Sequence, residues 1–431
     1  MVMVVKISEI YLLILTVLSF LYIVRHLVFS FNRLLFRQRM YYADIQTSDL
    51  PTVSVLVPMH NEELVLHNVL DALLRCDYDR EKLEIIPIND HSEDNTQKII
   101  DQYAAKYDII RPIERRDDNS VGKGKPVGLN DAMKVARGDI IVVFDADYRP
   151  ATDLLRQLAL AFEDPGVGAV MGRVIPYNTG KNLLTRLLNM ERSGGYQVDQ
   201  QARYNLNLIP QYGGTVGGFR KDVMLETGGF AADVLAEDTE LTYRLFTRGY
   251  RVVYANSAEC YEESPETYKV RSTQIRRWSR GHNQVLFRYF GKTLRTPHLT
   301  CPQKMDAIML LLVYMMPFLF LIGRVASLVV FFANGLSETV PWIFLLFLGV
   351  YASFGNFAPF FQIGTALFLD GIEGEILLLP LLIFHFYFYM WYISMGFLDA
   401  VIDGITHRNV KWAKTQRFAD QDVGTEEEEK A

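Results

Sequence analysis

Apolar residues are spread unevenly along the chain. Residues 7–29 form one run, broken only by Ser8, Glu9, Thr16, Ser19, Arg25 and His26, and further runs cover 307–333, 340–369 and 376–402. Each is long enough to cross a hydrocarbon core of about 30 Å, for which roughly 20 helical residues suffice. Residues 50–300 carry ordinary charge density and read as a soluble region. There, short apolar runs at 52–58, 83–89 and 140–144 predict strands, and helical spacing over 62–76, 94–107 and 125–136 predicts the helices between them. Such alternation predicts an α/β layer with a mainly parallel sheet, flanked by transmembrane and interfacial helices.

The first apolar run lacks a small-residue cleavage pattern, and basic residues follow rather than precede it, so an uncleaved anchor is expected rather than a signal peptide. Arg25, Arg33, Arg37 and Arg39 lie at or just after that run. By the positive-inside rule they place the soluble region in the cytosol of a multi-pass cell (inner) membrane protein. Three later crossings would export the C-terminus, yet His407, Arg408, Lys411, Lys414 and Arg417 suggest a cytosolic tail. A break in the run 340–369, around Ser353 to Pro359, would restore the parity. The expected organisation is an anchor over 1–40, a catalytic domain over 50–265, an amphipathic interfacial region over 266–300, a membrane region over 301–405 and a charged tail over 406–431.

Composition narrows the function. Half of the residues are hydrophobic and the formal net charge is −6. With no basic–aromatic array in the soluble region, nucleic acid is not an expected partner. Cys76, Cys260 and Cys301 have neither C-x-x-C pairing nor zinc-ligand spacing.

The candidate chemistry gathers at predicted strand ends, where ligands bind in open α/β sheets. The strand at 140–144 runs into Asp145-Ala146-Asp147. On a continued strand these carboxylates would share one face, suited to a hard divalent cation that also grips phosphate; the plain alternative is an Asp-rich turn. His60-Asn61-Glu62-Glu63 and Asn89-Asp90-His91-Ser92 end the two earlier strands. Gly122-Lys123-Gly124-Lys125-Pro126 is not a P-loop, but it puts Lys125 at a helix start, favourable for an anion. Asp238, in Ala236-Glu237-Asp238, stands before an amphipathic helix, where it can also be an N-cap. Gln274, Arg277 and Trp278 share a helical face, offering a guanidinium to phosphate and an indole to a sugar ring. The basic residues around them also suit a helix lying on lipid. Leu183, Leu184, Leu187, Leu188 and Met190, with Lys181, Arg186 and Arg192, make a second interfacial candidate. Arg324, Asn356, Gln362 and His385 lie within the apolar runs, and 385–392 either lines a sugar path or sets its aromatics against lipid or between helices.

An Asp after the second strand, then D-A-D, E-D and Q-x-x-R-W, in that order between membrane helices, resembles the membrane-embedded family 2 glycosyltransferases. The layout is most similar to the poly-β-1,6-N-acetylglucosamine synthases, within the group of cellulose and hyaluronan synthases. The resemblance implies a GT-A-like nucleotide-sugar-binding domain. It implies that Asp90 recognises uracil, that Lys125 sits near the nucleotide, and that Asp145 and Asp147 hold Mg²⁺ or Mn²⁺. Asp238 would be the catalytic base, and Gln274, Arg277 and Trp278 would hold the diphosphate and frame the acceptor. His91 stands where many relatives have Gly, and Ala236 where several have Thr. The implied reaction is inverting transfer from a UDP-sugar to a growing β-linked polysaccharide, with a homo-oligomer or a small membrane partner completing any pore. Transfer of one sugar to a membrane lipid is the rival reading, and a non-catalytic nucleotide-sugar-binding scaffold a third.

Overall fold

Strands buried on both faces read as unbroken apolar runs, and three such runs build the first half of the sheet. In the computed structural model, which describes residues 2–40, 49–116, 124–333, 346–350 and 357–406, these are β1 (Val53–Met59), β2 (Leu83–Asp90) and β4 (Ile140–Val143). With β3 (Ile113–Arg115) they pair in parallel in the order β3-β2-β1-β4. Helices α2 (Leu66–Leu74), α3 (Thr96–Lys106) and α4 (Lys125–Val135) connect them. The predicted helix over 62–76 begins only at Leu66, because Val65 and Leu66 N–H both donate to Glu62 O in a turn (3.0 Å).

Beyond β4 the sheet is mixed, not mainly parallel. β5 (Arg149–Pro150), β6 (Val167–Pro176), β7 (Gly217–Arg220) and β8 (Arg251–Glu262) extend it in the order β4-β7-β6-β8-β5. β7 runs antiparallel to both β4 and β6, whereas β6 and β8 are parallel. Helix α5 (Leu154–Leu160) packs against β8. Helix α6 (Leu183–Ser193) is capped by Asn182, whose side chain accepts from Thr185 N–H, and continues through a π-helix, Gly194–Gln200, into α7 (Gln201–Asn205). Helices α8 (Lys221–Thr227) and α9 (Glu237–Thr247) precede β8.

Helices α1 (Val2–Leu35), α10 (Tyr268–Arg295), α11 (Cys301–Leu312), α12 (Met316–Ala333), α13 (Ala358–Leu369) and α14 (Leu382–Thr406) flank this domain. Among the described residues three helices are long and apolar enough to cross a membrane: Val2–Leu35, Met316–Ala333 and Glu373–Thr406, the last including the 3₁₀ turn that leads into α14. Leu12, Leu15 and Tyr22 of α1 pack with Met316, Phe320 and Val330 of α12. The run 340–369 ends in α13, whose 12 residues rise about 18 Å, short of a span; residues 334–345 and 351–356, where the expected break mostly falls, lie outside the described residues, as does the basic tail. The hydrophobic face of α6 is covered by protein: Leu187 and Met190 pack on Ile363, Leu367 and Leu382.

Helix α10 is bound to α14 rather than left as a basic face on lipid. Gly396 permits the approach, since a Cβ there would come within 2.4 Å of the Arg276 carbonyl oxygen. Arg276 then pairs with Asp399 and Arg280 with Asp403, each at 2.6 Å. Arg288 pairs with Asp233 and Arg271 with Glu191. Two acids in an apolar helix are costly unless paired, and α10 supplies the partners.

Candidate active site

A cavity of about 1150 Å³ opens at the carboxyl ends of β1, β2 and β4, and Asp90, Lys125, Asp145, Asp147, Asp238, Gln274, Arg277 and Trp278 all line it. Residues separated by nearly two hundred positions are thus gathered around one cavity.

Strand β4 stops at Val143, and Tyr148 N–H donates to Asp145 O (3.2 Å), closing a turn. Asp145 and Asp147 therefore do not share a strand face, as their spacing predicted; the turn brings both to the cavity. Asp145 is partly exposed, its N–H donating to Thr215 Oγ1 (3.1 Å), while Asp147 is 3 % exposed. Among the described residues no group of three or more His, Cys, Asp or Glu side chains is assembled to hold a metal. Two carboxylates supply hard oxygen ligands, and cations such as Mg²⁺ characteristically take others from substrate phosphates and water. The donor set fits a cation that arrives with a diphosphate, not a protein-only metal cage.

Lys125, at the start of α4, donates to Asp145 Oδ1 and to Gly214 O, both at 2.7 Å. Burial works against its ammonium, but Asp145, Glu237 and Asp238 outweigh it and raise the pKa above the usual lysine value. Asp90 closes β2. Its Oδ1 accepts from Arg115 Nη1 (2.6 Å) and contacts His91 Nδ1 (2.9 Å), and its Oδ2 accepts from Gly124 N–H (2.8 Å). The Asp thereby ties the strand end to the start of α4. His91 has φ +61°, in the left-handed region that favours glycine.

Asp238 is not the N-cap of α9. That position is Ala236, with no side-chain cap, and Asp238 lies in the first turn with Oδ1 accepting from Thr239 N–H (2.6 Å). Gly214, at φ +86°, lets the backbone pass beside it; a Cβ there would lie 3.1 Å from Asp238 Oδ2. Next to it, burial pushes Glu237 up to about 7; Lys125 opposes that shift and Asp238 adds to it.

On α10, Gln274, Trp278 and His282 recur at helical spacing and line the cavity with Arg277. Arg271 organises that face. It donates from Nη1 to Gln274 Oε1 (2.7 Å), from Nη2 to Glu191 Oε1 (2.9 Å) and from Nε to Tyr389 Oη (2.5 Å). Arginine has only donors, so the Gln274 carbonyl faces it and the amide NH₂ is left for the cavity. Trp278 lies under two guanidiniums, Arg271 at 4.9 Å and Arg192 at 5.4 Å. Burial disfavours the Glu191 carboxylate, but Arg271, with His385 and Arg192, outweighs it and holds it at about 2.

The aromatic run on α14 does not line the cavity. The His385 side chain is 0 % exposed, 3.5 Å from Glu191 and packed on Tyr389 with ring centroids 4.3 Å apart. Tyr389 Oη is held by Arg271 and Glu191. His385 and Tyr389 pack between helices, whereas Tyr387 and Trp391 are exposed on the outer face of α14. Several cavity residues carried no site assignment from sequence: Glu237, Glu191, His282 and Tyr314, and Arg192, which was read only as part of an interfacial helix. His282 had a signal, four positions after Trp278 on the same face; its Nδ1 lies 3.2 Å from Thr239 Oγ1 and its ring stacks on Tyr314 at 4.4 Å. Burial lowers its pKa against the pull of Asp238, favouring the neutral imidazole.

Comparison with known proteins fits this arrangement. Residues 54–225 match the model for glycosyl transferase family 2, and residues 140–355 that for glycosyl transferase family group 2. The probable glycosyltransferase YdaM of Bacillus subtilis (strain 168) is 31% identical over 384 residues, covering 86% of this chain and 88% of that protein. The β-monoglucosyldiacylglycerol synthase of Nostoc sp. is 31% identical over 259 residues, 60% of this chain and 54% of that one. The poly-β-1,6-N-acetyl-D-glucosamine synthase of Staphylococcus aureus (strain COL) is 29% identical over 280 residues, 65% of this chain and 66% of that one. The matches to these two synthases thus span about half and just under two thirds of their lengths. The mannosyltransferase PcManGT of Pyrobaculum calidifontis, solved with GDP-Man and Mn²⁺, has the same fold: TM-score 0.65 at 21% identity, covering 92% of this chain and 99% of that one. The chain belongs to glycosyltransferase family 2, an enzyme with a GT-A-like fold flanked by apolar helices long enough to cross a membrane.

Proposed function

We propose that the protein transfers a sugar from a UDP-sugar to an acceptor hydroxyl with inversion, extending a β-linked polysaccharide processively. The observation that carries this reading is the convergence of the D-A-D carboxylates, Asp238 and the Q-x-x-R-W side chains on one cavity. That cavity, about 1150 Å³, exceeds the roughly 300–1,000 Å³ usual for a single small ligand. It has room for donor and acceptor together.

The chemistry follows from the residues. The acceptor O–H loses its proton to Asp238, its oxygen bonds to the anomeric carbon, and the bond from that carbon to the diphosphate oxygen breaks with its electron pair. Asp145 and Asp147 would hold Mg²⁺ or Mn²⁺, which supplies charge neutralisation to the leaving diphosphate. Arg277 and the Gln274 NH₂ bind phosphate oxygens, Lys125 fixes Asp145, and Asp90 orders the nucleotide end through Gly124. Trp278, held by Arg271 and Arg192, offers its face to the terminal sugar. Attack from the face opposite the leaving group gives the β-linkage.

In this reading the chain lies in the cell membrane with its catalytic domain cytosolic. With Met316–Ala333 and Glu373–Thr406 as the later crossings, the tail returns to the same side, in accord with its basic residues.

A lipid acceptor is the second reading, favoured by the similarity to a glucosyldiacylglycerol synthase. Radiolabelled UDP-N-acetylglucosamine and UDP-glucose, given to purified protein in lipid, separate the two. The polysaccharide reading expects a high-molecular-weight product that a glycosidase degrades. A single-sugar, organic-extractable lipid as the only product overturns it in favour of the second.

A further inference from the structure

The cavity reaches α1, where Tyr22, Arg25 and His26, with Gly195 and Asp199 of the π-helix and Gln362 of α13, line its inner end; Tyr22 Oη donates to Met309 O of α11, and Tyr314, just beyond that helix, stacks on His282. No residue of α14 lines it among the described residues.

Two features define the chemistry of this end. The first is a closed ring of charge. Arg25 Nη2 pairs with Asp199 Oδ1 (2.6 Å) and Arg25 Nε with Asp306 Oδ1 (3.2 Å). Arg203 Nε pairs with Asp199 Oδ2 (2.8 Å) and Arg203 Nη1 with Asp306 Oδ2 (3.2 Å). Each carboxylate bridges both guanidiniums, and the four charges sum to zero. A phosphate entering here would have to break ion pairs whose partners would then be left buried and uncompensated. The second is a hydrogen-bond acceptor. His26 Nδ1 lies 2.5 Å from Gln362 Oε1, and the Gln362 amide nitrogen donates to Gly194 O (3.1 Å). Since the Gln oxygen only accepts, His26 carries its proton on Nδ1 and leaves Nε2 as an acceptor for an incoming hydroxyl.

We propose that this inner end is the acceptor site and that it takes an uncharged, hydroxyl-bearing acceptor, not a phosphorylated one. The proposal rests on the transferase reading above. A glycan end and a neutral lipid head group present the same chemistry, and the test separates them.

Gly195 provides a plug. A Cβ there meets nothing within 4 Å, so the side chain of Gly195→Phe starts in open space at the cavity lining. The experiment uses full-length protein in vesicles, radiolabelled UDP-sugar, and three acceptors: an N-acetylglucosamine oligomer, diacylglycerol and a polyprenyl phosphate. Wild type is expected to label one of the two neutral acceptors, which identifies the source, and to leave the polyprenyl phosphate unlabelled. Gly195→Phe should lose about 100-fold in transfer while donor affinity, measured by calorimetry, stays within about threefold (tenfold in affinity is about 1.4 kcal/mol). His26→Phe, the second variant should the first fail to fold, should lose about tenfold in transfer with the same donor affinity. Wild-type transfer rates in either folded variant, or labelling of the polyprenyl phosphate, overturn the proposal. Wild type that transfers to none of the three overturns the transferase reading itself, and this proposal with it.

Discussion

Asp238→Asn should leave donor affinity within a few-fold of wild type while transfer falls by about 10²–10⁴, the usual contribution of a positioned general base. The amide is nearly isosteric with the carboxylate. Its oxygen keeps the bond from Thr239 N–H, and the side chain still fits beside Gly214. What it loses is the ability to take a proton. The carboxylate is offered by the first turn of α9 into the cavity shared with Lys125 and the Q-x-x-R-W face. Initial rates at saturating donor, paired with calorimetric donor binding, separate the two effects. Turnover near the wild-type rate would leave Asp238 with only its bond to the helix amide.

The second large effect concerns the cation. A chelator should abolish activity, and Mg²⁺ or Mn²⁺ should restore it. Asp147→Ala should weaken cation-dependent donor binding by roughly tenfold or more, about 1.4 kcal/mol per decade. Asp147 is the cleaner position to change, because Asp145 also anchors Lys125, and losing it would mix two effects. Titrating donor with and without cation, in wild type and variant, gives the difference directly. Full activity in chelator would remove the metal role from both carboxylates.

How far the sequence reveals this site depends on the range of the interactions that make it. The β1, β2 and β4 strands were legible because parallel strands buried on both faces are unbroken apolar runs. β7 was not: it is short, and Gly217 and Gly218 depress any strand signal, although they let it pass closely between β4 and β6. The D-A-D pair was legible as carboxylates near a strand end but misplaced by geometry, since the strand stops at Val143, two residues before Asp145. Helix α10 was legible as an amphipathic helix, but its partners were not. Asp399 and Asp403 lie more than a hundred residues away, and no local pattern announces that they neutralise Arg276 and Arg280. The same holds for Arg271, whose contacts with Glu191 and Tyr389 come from two other helices. His385 shows the converse: a polar residue in an apolar run suggests a route, and packing instead seals it.

The measurement that tests the central claim most directly follows UDP and sugar in one reaction. Purified protein in lipid, with divalent cation, receives a UDP-sugar labelled in both the nucleotide and the sugar, and GDP-mannose in a parallel sample. The account predicts that UDP is released one-for-one with sugar appearing in a glycosidic product of inverted configuration, and that GDP-mannose is not used. Transfer from GDP-mannose alone, or sugar transfer with retained configuration, would contradict it.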